Sequence, residues 1–209
     1  MPDMSVWEII GTVLGVIGVG LMIRQNIWGW PVGLVQVAVY ARVFFDAKLY
    51  SDTILQAAFF LIQAYGWGHW LRGAKREKAL LRGAEGDFEG QVATLLPVTR
   101  LSGGAIAGWL VMGAVLTAAW GLFMHRTTDA ALPWWDAFIL VFSLIAQWLQ
   151  ARKNLENWPA WVGVNTVAIG VYWAKDLRLT SGLYLIFWVM ALWGWRTWQR
   201  TMTEAKTHG

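Results

Sequence analysis

The stretch Asn154-Leu155-Glu156-Asn157-Trp158-Pro159 repeats, at an offset of 128 residues, the earlier stretch Asn26-Ile27-Trp28-Gly29-Trp30-Pro31. The same offset lays Trp7 on Trp135, Arg24 on Arg152, Gly66-Trp67 on Gly194-Trp195, Trp70 on Trp198 and Arg72 on Arg200. Of the five tryptophans in residues 5–72 and the ten in 133–200, four coincide, where chance alone aligns about 0.7. The chain is a duplicated unit. In a membrane protein, duplication points to a ligand path between the copies.

The membrane reading comes from composition. Apolar residues make up 57% of the chain and charged residues 14%, and the charges cluster so that long uncharged runs lie between them. A helix needs roughly 20 mostly apolar residues to cross a bilayer. Seven runs qualify: 7–23, 27–45, 53–71, 103–124, 133–150, 158–174 and 180–198. Helices are the way to satisfy the backbone of such runs in lipid, and the runs lack the period-two alternation of barrel strands. The first run is not a cleavable signal, having Glu8 at its start and no basic segment before it. The absence of cysteine removes disulfides, thiol catalysis and thiolate metal sites.

Seven spans put the N-terminus on the same side as the loops near 46–52, 125–132 and 175–179. That side carries Lys48, Arg126, Lys175 and Arg178, with Arg42 just inside the second span. The other side carries twelve basic residues, from Arg24 through the Arg72–Arg100 group to Lys206. The positive-inside rule puts the twelve in the cytoplasm, with the N-terminus outside and the C-terminus cytoplasmic. A net charge of +4 is then explained by anionic lipid headgroups, and no nucleic-acid partner is implied.

The expected fold is an all-α integral membrane protein of seven transmembrane helices, a single membrane domain over 1–209. Repeat one is 5–72 (spans 1–3), a cytoplasmic loop and linker span 4 occupy 73–132, and repeat two is 133–200 (spans 5–7). Four helices precede the second copy, so both copies enter the membrane in the same direction, as parallel repeats. Span 4 is the topological adaptor, with small residues (Gly103, Gly104, Ala107, Gly108, Ala114, Ala118) suited to close packing. The 72–102 loop, basic from Lys75 to Arg82 and acidic from Glu85 to Glu89, is a linker with local helix. Pro31 and Pro159 fall in first helical turns, where a missing N–H costs nothing. Tryptophans 7, 70, 134, 135, 195 and 198 lie at span ends and read as an interfacial belt.

Polar groups deep in the spans are the functional lead, because they are costly in lipid unless paired or lining a cavity. Trp158, Trp161, Asn165 and Tyr172 share one face of span 6. Gln36 and Tyr40 are one turn apart in span 2, and Gln36 is one position from the repeat equivalent of Asn165. Gln63 and Tyr65 in span 3, Gln147 in span 5 and Tyr184 in span 7 complete the set. Each alone is better explained by an interhelical hydrogen bond than by a ligand contact; as a group, with two amides at matching depth, they point to a ligand. No Lys or Arg lies mid-span to neutralise a phosphate. No Asp, Glu or His lies there to carry a coupled proton, and His69, His125 and His208 are peripheral. A neutral or cationic substrate held by indole faces and amides fits best. Span 7 has no lysine for a retinal Schiff base. Neither hydrolase, zinc-protease nor phosphate-loop motifs occur, and Leu101-Ser102-Gly103-Gly104 lacks a histidine partner. The chain reads as a non-enzyme without cofactor or metal.

These segments resemble the Pnu family of bacterial vitamin transporters. The likeness rests on Asn26-x-x-x-Trp30-Pro31-x-Gly33, on Lys48-Leu49-Tyr50-x-Asp52-x-x-Leu55-Gln56 and on Tyr65-Gly66-Trp67-x-x-Trp70. In the second half it rests on Glu156-Asn157-Trp158-x-x-Trp161-x-x-x-Asn165, then Leu183-Tyr184 and Gly194-Trp195. It covers nearly the whole chain. The resemblance implies a three-plus-one-plus-three helix fold like that of the SWEET sugar facilitators, a bacterial inner-membrane location and a homo-oligomer, a trimer. It also implies a pocket including Trp158, Trp161 and Asn165. The implied activity is uptake of nicotinamide riboside by facilitated diffusion, with trapping by a cytoplasmic vitamin kinase. Family members also carry thiamin or riboflavin, so the vitamin stays open. A membrane scaffold or sensor without transport is the alternative from another class. Repeat one has Gly33 where repeat two has Trp161, so the pocket should be lopsided.

Overall fold

The computed structural model describes residues 6–46, 50–83 and 96–207. Lys48 and Leu49, the acidic stretch Glu85–Glu89 and His208 lie outside the described residues. Seven helices stand among those described: α1 (Val6–Ile23), α2 (Gly29–Asp46), α3 (Tyr50–Gly83), α4 (Gly103–Thr127), α5 (Pro133–Ala151), α6 (Asn157–Ala174) and α7 (Arg178–Thr207). They coincide with the seven expected spans, except that α3 and α7 run well past them. At ~1.5 Å per residue, these two outreach a bilayer core of about 30 Å.

Three of the helices, α1, α4 and α5, are long and apolar enough by length and composition to cross a membrane. The other four are diluted by the polar and aromatic side chains that drew attention in the sequence. They are the second and third helices of each repeat. Outward faces are apolar throughout: Leu110, Val111 and Val115 on α4 are 55%, 64% and 61% exposed. A surface this apolar needs lipid, or a partner, to cover it.

The turn that follows the first helix of each repeat is the same structure twice. Gln25 (φ 52°) and Lys153 (φ 54°) occupy the left-handed region. The next residue bonds back five positions, Asn26 N to Leu21 O and Asn154 N to Leu149 O, both at 2.9 Å. This is the Schellman closure that stops a helix. A new helix then starts identically, with Gly29 N on Asn26 O (3.0 Å) and Asn157 N on Asn154 O (3.2 Å). Pro31 and Pro159 each sit at the third position of the helix so begun, as expected of a first-turn proline.

Two compact units emerge. The first contains Met1–Val98, Ala151–Lys153 and Thr197–Gly209. Here α1 packs on α2 and α2 on α3. Gly11 admits the Tyr40 ring, and Gly66 admits Trp30, whose ring carbons lie 2.5–2.8 Å from where a Cβ would stand. Trp70 and Trp198 depart from the belt expectation: they are 4% and 0% exposed. Trp70 donates its indole N–H to Ala151 O (3.2 Å) and Trp198 to Met22 O (3.1 Å). Each thus serves the carbonyl end of the other repeat's first helix, and the two rings lie 6.2 Å apart. A carbonyl at a helix end has no partner within its own helix, and an indole can supply one. Trp7, Trp134 and Trp135 are exposed, as a belt requires.

The second unit contains Thr99–Gln150 and Asn154–Arg196. Its core is Val141, Ile145 and Leu149 of α5, with Leu101, Trp109 and Phe142 against them. Ser102 caps α4, its hydroxyl accepting from Ala105 N at 3.3 Å. The small-residue face expected on α4 is not the one used. Gly103, Gly104 and Gly108 have open space above them, and Ala107, Ala114 and Ala118 are exposed. Contact comes instead from Gly113, which takes Phe142 and Ile145, and from Gly121, which takes Trp134. Those glycines are two turns apart, whereas the small residues singled out share an arc of about 140° at 100° per residue that is left exposed.

Candidate functional site

The hairpin of α5 and α6 in the second unit holds most of the expected site residues, and two contacts fix its register. At one end Lys175 Nζ lies 2.8 Å from both carboxylate oxygens of Asp136. At the other, Trp161 Nε1 donates to Gln150 Oε1 at 3.1 Å. Both contacts belong to one antiparallel register. The same register sets Gln147 level with Val164 and Asn165, one turn deeper than the Trp161–Gln150 pair.

This face is polar and dry. Ser143, Gln147 and Gln150 line one side of α5 at i, i+4 and i+7 and are 8%, 8% and 6% exposed, while Asn165 on α6 is 4% exposed. Among the described residues no hydrogen bond is made by the side-chain amides of Gln147 and Asn165, and neither amide is among the fully enclosed polar atoms left without a partner. Amides left open on a largely buried face can meet the donors and acceptors of a ligand. Trp161 is half-buried beside them, its N–H engaged and its ring partly open.

Trp158 is in a different position. It is 1% exposed, and its ring lies against Gly194 as Trp30 lies against Gly66. Its place is the Trp-Pro corner, one turn from Trp161. Tyr172 and Tyr184 stack on each other at 5.0 Å, with planes 21° apart, near the other end of α6. They form a second aromatic surface two turns beyond Asn165.

In the first unit, Tyr40 bonds Thr12 (Oη to Oγ1, 3.2 Å) and stacks on Phe44. Gln36 is half-buried, while Val37, the repeat equivalent of Asn165, is the buried residue at 6%. The amides of Gln36 and Asn165 therefore match in depth but not in face, one residue being ~100° of helix. Gln63 is 7% exposed, and its Oε1 fills the place a Cβ on Gly33 would take. Repeat two reverses these sizes, with Trp161 at the Gly33 position and Ala191, 2% exposed, at the Gln63 position. The lopsidedness expected from Gly33 and Trp161 is thus a two-residue exchange.

Sequence reading missed Gln150, because it lies at the last turn of span 5 where a polar residue is unremarkable. Its spacing from Ser143 and Gln147 was the available signal. No charged residue belongs to the Gln147–Gln150–Trp161–Asn165 face; the Asp136–Lys175 pair closes the far end of the hairpin. The first unit also has an apolar recess of about 450 Å³, lined by Trp7, Leu34, Val35, Ala38, Val39, Arg42 and Phe60. It includes none of the expected site residues, and its one charge, Arg42, pairs with Asp46 at 2.8 Å.

Comparison with known proteins adds the following. The sequence pattern of the family described as nicotinamide mononucleotide transporter matches residues 5–200. The nicotinamide riboside transporter PnuC of Escherichia coli (strain K12) is 28% identical, over 97% of this chain and 88% of its own. The riboflavin/roseoflavin transporter RibM of Streptomyces davaonensis is 30% identical, over 92% of this chain and 84% of its own. A crystal structure of the vitamin B3 transporter PnuC superimposes with a TM-score of 0.68 at 22% identity, covering 96% of this chain and 82% of that one. That likeness establishes the fold.

Proposed function

Since the chain belongs to the nicotinamide mononucleotide transporter family, we propose that it carries nicotinamide riboside into the cell by facilitated diffusion. The observation that carries this reading is the amide of Asn165, on a residue 4% exposed, one turn from the half-open ring of Trp161. A pyridinium ring is a flat cation, and an indole face attracts such a cation better than any other aromatic side chain. The carboxamide and ribose hydroxyls offer both donors and acceptors, which Gln147 and Asn165 can meet. Trp158 backs the site as packing, and Tyr172 and Tyr184 extend its aromatic wall.

The site's lack of charge argues for the riboside over the nucleotide. A phosphate brought into this environment finds no Lys or Arg and loses its water, which is prohibitive. The same absence removes the usual means of proton coupling, leaving transport downhill. Net uptake then requires a cytoplasmic kinase that converts the vitamin into a phosphate that cannot return. The parallel three-plus-one-plus-three arrangement, the inner-membrane location with an external N-terminus, and a trimer are parts of the same reading.

A second reading makes the ligand riboflavin, supported by the 30% identity to RibM; thiamin, also a cationic heteroaromatic, is the third arm of the test. Titration calorimetry of the purified chain with nicotinamide riboside, riboflavin, thiamin and nicotinamide mononucleotide decides among them. Nicotinamide riboside should bind tightest and the mononucleotide not measurably. Tighter riboflavin or thiamin binding reassigns the substrate. Absence of uptake of all of them into proteoliposomes returns the chain to a scaffold or sensor.

A further inference from the structure

We propose that Gln150 is the residue that sets the pose of Trp161, and thereby the affinity of the site; this rests on the reading of Trp161 as the ring that meets the substrate. An indole side chain turns about two bonds, and in a half-open position its face can present several ways. Trp161 has a single donor, Nε1, and it ends on Gln150 Oε1 at 3.1 Å. Gln150 is itself held, 6% exposed on the last turn of α5, immediately before the left-handed turn at Lys153. The bond therefore ties the ring to the turn end of the hairpin, three residues before the left-handed Lys153. It selects one of the ring's two flips and fixes the plane against which a flat cation would lie.

The device exists in one copy only. At the repeat-equivalent positions the chain has Met22 for Gln150 and Gly33 for Trp161: neither the acceptor nor the ring is there. A bond kept for helix packing alone would be expected at both hairpins, whose closing turns match. Pre-setting the ring lowers the ordering cost of binding, which for a mobile side chain is about 0.5–1.5 kcal/mol.

The test is a cycle in the full-length protein, with nicotinamide riboside binding read by calorimetry. Gln150→Leu keeps volume and removes the acceptor. Gln150→Glu restores a carbonyl-type oxygen at the same reach, and Gln150→Asn withdraws it by about one bond length, ~1.5 Å. Trp161→Phe keeps a ring but removes the N–H. Gln150→Leu and Gln150→Asn should each weaken binding about five- to tenfold, with Gln150→Glu within about twofold of wild type. In the Trp161→Phe background Gln150→Leu should add less than about twofold, because both act through one bond. Full additivity in the double variant, or failure of Gln150→Glu to restore binding, overturns the proposal. If Gln150→Leu does not fold, the Glu and Asn variants carry the same comparison. Wild-type binding by Trp161→Ala would instead sink the underlying site, whereas its loss alongside intact Gln150→Leu binding sinks only the role of Gln150.

Discussion

Lys175 reaches both carboxylate oxygens of Asp136 at 2.8 Å, bolting together the ends of α5 and α6 farthest from Gln150 and Trp161. The two side chains are 27% and 25% exposed, neither fully wet nor dry, so the pair is discounted from the buried-pair range toward about 1 kcal/mol. Asp136→Asn should lower the thermal midpoint of the detergent-purified protein by a few degrees. Lys175→Met should do the same, and the double variant should be no worse than either single one. Intrinsic-fluorescence melts would show this; additive losses would mean the two residues act separately.

Trp161→Ala and Asn165→Ala should each reduce vitamin binding at least about tenfold, the cost of a buried ring contact or a completed amide bond. Their melting points should stay close to wild type, because neither side chain is the sole filler of a closed core. Calorimetry and a melt on the same preparation separate the two effects.

Trp158→Ala should behave otherwise. Its ring is sealed against Gly194, so truncation opens a cavity costing about 3–5 kcal/mol and should show as poor folding. Gly194→Ala and Gly66→Ala should be destabilising from the other direction, each pushing a methyl into an indole at a cost of about 1–3 kcal/mol. Yield of monodisperse protein in size-exclusion chromatography reads all three.

Uptake of the vitamin into proteoliposomes should be unchanged when proton and sodium gradients are collapsed. A rate that falls severalfold would require a coupling group, and the amide face of the hairpin contains none.

Much of this was legible from the chain itself. Runs of uncharged residues located five of the seven helices within a few positions, α3 and α7 running about a dozen and nine residues further, and the shared Asn-x-x-x-Trp-Pro segment begins at the residue after the left-handed turn in both copies. Directions around each helix were harder. Trp70 and Trp198 look interfacial because they sit at span ends, yet carbonyls left over at two helix termini draw them inside. Gln36 lies at the depth of Asn165 but one residue off its face, and depth is easier to count than angle when both neighbours are apolar. On α4 the small residues singled out do share a face, yet packing falls where Phe142 and Trp134 bring their bulk, at Gly113 and Gly121.

The crossed bonds of Trp70 to Ala151 and Trp198 to Met22 carry a consequence for ancestry. Each copy now ends its first helix with a donor grown on the other. Two separate ancestral chains could have met this way as a dimer, but once fused, neither copy can drift at these tryptophans without exposing its sibling's carbonyl. The copies have diverged in their interiors, where one holds Gly33 and Gln63 and the other Trp161 and Ala191, while the crossed pairs at the helix ends are kept. Gene duplication here created hostages as well as symmetry, and it is the hostages that keep the fold while the symmetry decays.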